Sequence, residues 1–127
     1  MAPRWRDEFE RYLRSYGDPD GDFLSAELIF GELVWNAVRY APGPIEVFVD
    51  WPDGRAVLHV SDDGYPVATN VTEPPDPYAP SGRGLLLVNR LSEGLTSTLY
   101  ADRGKTLSAT LPVHALVRQA HHDRAES

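Results

Sequence analysis

The segment Leu24 to Ala41 reads Leu-Ser-Ala-Glu-Leu-Ile-Phe-Gly-Glu-Leu-Val-Trp-Asn-Ala-Val-Arg-Tyr-Ala. It is rich in helix formers and free of proline, which predicts a helix along its whole length. Its apolar residues nearly encircle it, with Leu28, Ile29, Leu33, Val34, Ala37 and Val38 on one broad side. A helix of that kind is expected to lie against a sheet and not in water. Two polar residues interrupt it, Glu32 and Asn36, four apart and therefore one turn from each other on one face, with Arg39 along the same edge. Such a pair has two readings. It can be a satisfied polar pair at the rim of a core. It can also carry chemistry, because a carboxamide oxygen suits Mg²⁺ beside phosphate oxygens and a carboxylate can take a proton from an attacking hydroxyl.

The chain around this segment is short and acidic. Its 127 residues correspond to one domain, and it carries a formal net charge of −7 with no cysteine. That charge argues against a nucleic-acid binder, which needs a basic surface. The lack of cysteine excludes disulfides and thiolate metal sites. No apolar run is long enough for a membrane span and no signal peptide is evident, so a cytoplasmic location is expected.

Before the central segment, Trp5, Phe9, Tyr12, Leu13 and Tyr16 recur at helical spacing up to Gly17, and Asp22 is placed to cap the next helix. Pro42 and Pro44 end that helix. Ile45 to Trp51 alternates with a period of two, Pro52-Asp53-Gly54 turns, and Arg55 to Val60 returns as the hairpin partner. Residues 67 to 81, with four prolines, suit neither helix nor sheet and are expected to form a loop. Gly82-Arg83-Gly84 leads into an apolar helix from Leu85 to Leu91. Leu95 to Tyr100 and Thr106 to Leu111 make a second hairpin about Asp102-Arg103-Gly104-Lys105. Pro112 is expected to close the domain, leaving residues 113 to 127 as a tail that starts as a short helix. Its His121-His122 pair is a poor metal site, since adjacent helical side chains point apart.

Three local signals thus stand in order, and each is weak alone: Glu32/Asn36 on a helix, Asp62-Asp63-Gly64-Tyr65-Pro66 at a strand end, and Gly82-Arg83-Gly84-Leu85 at a helix start. An Asp-Gly pair is most often simply a turn. As a trio, Glu-Leu-x-x-Asn-Ala, Asp-x-Gly-x-Pro and Gly-Arg-Gly-Leu-x-Leu-Val resemble the N, G1 and G2 boxes of the GHKL ATPase superfamily, which includes gyrase, histidine kinases and MutL. The small size and the wording around Glu32 and Asn36 resemble most the bacterial anti-sigma-factor serine/threonine kinases of the RsbW and SpoIIAB type. The resemblance implies the Bergerat fold, an α/β (α+β) two-layer sandwich with helices on one face of a mixed, mainly antiparallel sheet.

Position by position, the resemblance implies that Asn36 coordinates Mg²⁺ on the phosphates of ATP and that Arg39 lies near those phosphates. Asp62 would accept from the adenine amino group, with Gly64 and Pro66 shaping the approach of the base. Gly82, Arg83, Gly84 and Leu85 would present backbone N–H groups and a cation to phosphate at a helix start. Thr106 would place a hydroxyl near the adenine, and residues 67 to 81 would be the lid. Glu32 would be the general base in phosphoryl transfer to a partner's hydroxyl. The implied function is a kinase that phosphorylates an antagonist protein of the STAS type and regulates a sigma factor by partner switching, with a homodimer also implied. Two alternatives are a nucleotide-gated binding module without chemistry and a histidine-kinase-like domain acting in trans. Nothing before Trp5 has a strand pattern, whereas the anti-sigma kinases usually begin with one.

Overall fold

The computed structural model describes residues 3–40, 43–63, 83–99 and 104–116. Helix α1 (Pro3–Tyr16) and helix α2 (Phe23–Tyr40) come first. Strands β1 (Glu46–Asp50) and β2 (Arg55–Asp62), helix α3 (Arg83–Leu91), and strands β3 (Leu95–Leu99) and β4 (Lys105–His114) follow. Asp22 caps α2 as expected: its Oδ1 accepts from the Ser25 backbone N–H at 3.1 Å, and its Oδ2 accepts from the Ser25 hydroxyl at 2.7 Å. The β1–β2 turn is a single 3₁₀ turn, Pro52–Gly54, in which Asp53 and Gly54 take positive φ of 55° and 78°.

The strands form one sheet in the order β1-β2-β4-β3, and all three pairings are antiparallel. The expected admixture of parallel pairing is absent among the described residues, because both hairpins join edge to edge with β2 and β4 running oppositely. Every second residue of the two inner strands faces the helices: Ala56, Leu58 and Val60 on β2, and Leu107, Ala109, Leu111 and Val113 on β4, all essentially without solvent exposure. Against them α2 sets Ala26, Ile29, Phe30, Leu33, Val34 and Ala37, α1 adds Phe9 and Leu13, and α3 adds Val88. The Phe9 and Phe30 rings stack at 4.3 Å between α1 and α2. The molecule is therefore two layers with one core.

Two expectations are corrected. Leu28 and Val38 do not face the sheet; they remain 41% and 49% exposed. The buried stripe of α2 runs instead through residues 26, 29, 30, 33, 34 and 37, and a helix packed on a single flat sheet can bury only about one such stripe. Pro112 does not end the domain either. β4 continues through it to His114, with Val113 in the core and Ala115 bridged to Gly17. Proline is tolerated there because β3 stops pairing at Ala109 and the register against β2 shifts between Arg55 and Val57, so no ladder hydrogen bond is lost. The tail helix is thus not seen over residues 113–116; the rest of the tail, with His121 and His122, lies outside the described residues.

Candidate functional site

The chemistry-bearing residues lie on α2, at the C-terminal end of β2 and at the start of β4. Glu32 and Asn36 sit one turn apart on α2, Glu32 half-buried and Asn36 only 8% exposed. The Asn36 carboxamide oxygen is buried and, among the described residues, has no hydrogen-bond partner. An orphaned acceptor inside a protein costs about 1–3 kcal/mol, so this atom is suited to receive a donor or a cation. Arg39 follows on the exposed edge of the helix.

Asp62 is the last residue of β2. It lies on the helix-facing side, since it follows Ala56, Leu58 and Val60 in the two-residue period. Directly opposite is Lys105, the first residue of β4. The Lys105 Nζ donates to both carboxylate oxygens of Asp62, at 2.9 and 3.0 Å, and the two side chains are each only 1% exposed. Mutual neutralisation makes this burial tolerable, because neither charge could be carried alone so far from water. A concavity of about 500 Å³ lined by Pro44, Ile45, Glu46, Ser61, Asp62 and Asp63 opens at the same end of the sheet.

Lys105 is the residue that sequence reasoning missed. The Gly-Lys-Thr segment drew attention to Thr106, which the register places elsewhere: it opposes Ser61 on the face away from the helices, with the two hydroxyl oxygens 2.7 Å apart. Residues directly opposite in an antiparallel pair point to one face and their neighbours to the other, so Asp62 shares its side with Lys105 and not with Thr106. The signal lies in the strand register and not in the local sequence. Extending β2 to Asp62 and counting back across the β2–β4 ladder from the core residue Leu107, which opposes Val60, puts Lys105 against the carboxylate.

The remaining expected site residues are only partly covered. Arg83, Gly84 and Leu85 form the first turn of α3, which packs against α2. Gly64, Pro66, Gly82 and the lid at 67–81 lie outside the described residues. Among the described residues no cluster of three or more His, Asp or Glu could cage a metal ion, and no helix is long and apolar enough to cross a membrane.

Comparison with known proteins agrees with this architecture. In ShkA, a full-length protein crystallised with AMPPNP, the matching region has a TM-score of 0.61 at 23% identity, covering 75% of this chain and 23% of that one. The catalytic domain of the histidine kinase ThkA matches with a TM-score of 0.50 at 16% identity, over 72% of this chain and 67% of the other. The histidine kinase domain of the E. coli osmosensor EnvZ matches at 25% identity with a TM-score of 0.48, over 72% and 65%. The chain thus spans under a quarter of the length of ShkA. No curated protein matches it in sequence. The model of the histidine kinase-like ATPase domain matches residues 1–111, which takes in both helices of the first half, the whole β1–β2 hairpin and all but the last residues of β4. With the GHKL fold on both counts, the chain belongs to the histidine kinase-like ATPase domain family.

Proposed function

We propose that this domain binds ATP with Mg²⁺ and transfers the γ-phosphoryl group to a serine or threonine of a partner protein, as a small anti-sigma-type kinase. The observation that carries the reading is the buried carboxamide oxygen of Asn36, without a hydrogen-bond partner among the described residues and one turn from the half-buried residue Glu32. A neutral hard oxygen of this kind fits Mg²⁺, which keeps several waters and takes few protein ligands when substrate phosphates supply the rest. The lack of any carboxylate cage among the described residues agrees with a metal held in that way. When bound, the ion would neutralise charge on the phosphates; Asn36 is the residue that would hold it.

The chain's own groups then have distinct tasks. The first turn of α3 offers backbone N–H groups and the positive end of a helix dipole to phosphate. Asp62 offers the adenine amino group a carboxylate whose orientation Lys105 holds fixed. Glu32 accepts the proton of the partner's hydroxyl as it attacks, and the half-burial of its carboxylate keeps competing water sparse. Phosphoryl transfer is mainly positioning and charge neutralisation, so one base and a few donors suffice. The protein acceptor is of the STAS type on this reading, with a sigma factor as the alternate partner of the free domain.

The test is calorimetry with ATP and ADP in the presence and absence of Mg²⁺, followed by incubation with labelled ATP and candidate acceptors. The expected result is metal-dependent binding and acid-stable label on serine or threonine. Glu32→Gln should keep nucleotide affinity within a few-fold and lose transfer. Acid-labile label on histidine would replace this reading with a histidine kinase acting in trans. Binding without transfer would leave a nucleotide-gated binding module, and no binding at all would end the proposal.

A further inference from the structure

Beside β2, β1 forms one border of the sheet: among the described residues it pairs with β2 and with nothing on its other side. A strand edge presents a row of backbone donors and acceptors that templates another extended chain. Proteins often blunt such an edge with charges, proline or a covering loop, and β1, Glu-Val-Phe-Val-Asp, carries an acidic residue at each end. Between this edge and α1 runs a groove of about 490 Å³, walled by Trp5, Phe9, Tyr12 and Phe30 on the helix side and by Val47 and Val49 on the strand. The walls are held in place, since the Trp51 indole N–H donates to the Tyr12 hydroxyl at 2.8 Å and Phe9 stacks on Phe30. On the other face of the strand, Phe48 stacks on His59 with a centroid distance of 4.5 Å, yet it remains 49% exposed.

We propose that this edge and groove bind an extended segment of a partner protein in which alternating apolar residues are flanked by two basic ones. Charge selects the occupant. Glu46, Phe48 and Asp50 share the solvent face of β1, all exposed, and Glu8 stands at the mouth of the groove. A strand laid beside β1 places its residues i, i+2 and i+4 across from those three positions, and its residues i+1 and i+3 over the groove. The complementary pattern is therefore basic, apolar, apolar, apolar, basic. A second copy of this chain is the wrong partner, because antiparallel self-pairing centred on Phe48 sets Glu46 against Asp50 twice, and like charges directly opposite repel. The net charge of −7 also favours a cationic segment at long range. Neither Glu32 nor Asn36 takes part in this site, although Glu46 also lines the concavity beside Asp62.

The probe is a synthetic peptide, acetyl-Gly-Arg-Val-Tyr-Val-Arg-Gly-amide, titrated onto the full chain by calorimetry. Saturable one-to-one binding is expected, about tenfold weaker when both arginines are replaced by glutamate. The combined substitution Glu46→Lys with Asp50→Lys should invert that preference, so the glutamate peptide becomes the tighter ligand; both side chains are exposed, and unchanged circular dichroism checks the fold. N-methylation of the peptide at the backbone positions facing β1 should abolish binding if strand addition is the mode. The proposal is overturned if the charge variants bind alike, if N-methylation has no effect, or if sedimentation shows the chain already self-associated through β1 and indifferent to the peptide.

Discussion

Replacing Lys105 with methionine keeps most of the side-chain volume and removes only the ammonium. In the native protein that group lies 2.9 and 3.0 Å from the two oxygens of Asp62, with both side chains 1% exposed. The variant therefore removes the cation that neutralises a buried carboxylate, and breaking one side of a buried pair costs about 3–5 kcal/mol. Against a total stability of about 5–15 kcal/mol for a domain of ordinary size, that is a large fraction. At roughly 3–6 °C per kcal/mol for a chain of this length, the melting temperature should fall by about 10–25 °C. Urea unfolding followed by circular dichroism measures it, with an unchanged slope showing that the native state keeps its compactness. The decisive comparison is Lys105→Met combined with Asp62→Leu. With both members of the ion pair gone, no lone charge of that pair remains, and the double variant should lie within about 1–2 kcal/mol of the parent, well above Lys105→Met alone. The reasoning fails if Lys105→Met costs less than about 1 kcal/mol, or if the two substitutions simply add.

Asn36→Ala removes the buried carboxamide and its orphaned acceptor, so folding stability should hold or rise by up to about 1 kcal/mol while Mg²⁺-dependent ATP binding weakens by about tenfold or more; calorimetry with and without a chelator separates the two effects. Glu27 is raised above its ordinary value near 4.5, first by burial and then by the neighbouring Glu10 carboxylate. A raised carboxyl helps the folded state below its unfolded value and loses that help as the pH rises through the folded one, so Glu27→Gln should raise the urea midpoint at pH 7 and leave it unchanged near pH 4. Gly17 sits where α1 meets the end of β4, and a Cβ there would stand 2.6 Å from a Val113 methyl and 2.7 Å from the Leu13 carbonyl oxygen. Gly17→Ala should therefore cost about 1–3 kcal/mol in thermal unfolding, although alanine is the better helix former.

The elements that the chain's local pattern determines were all legible. The period-two alternation of β1 and β2, the Asp22 cap and the glycine-led start of α3 each follow from neighbours within a turn or two. So was the position of Asn36, because a carboxamide interrupts an otherwise apolar helix and stands out against it. What escaped depends on distances along the chain. Leu28 and Val38 look as buried as Ile29 and Leu33 until the width of a single sheet limits how much of α2 can be covered. Pro112 looks like a stop until the edge of β3 proves too short to need its N–H. Lys105 is the sharpest case: as one charged residue in a polar turn it carries no local signal at all. Only the register between β2 and β4 decides that it, and not Thr106, stands on the same face as Asp62. Side-chain alternation has a period of two, so an error of one residue in that register exchanges a buried ammonium for a hydroxyl on the far side of the sheet. The identity of the group beside the candidate base-binding carboxylate is thus a property of strand pairing, which is why local motifs could locate Asp62 while leaving its partner unnamed.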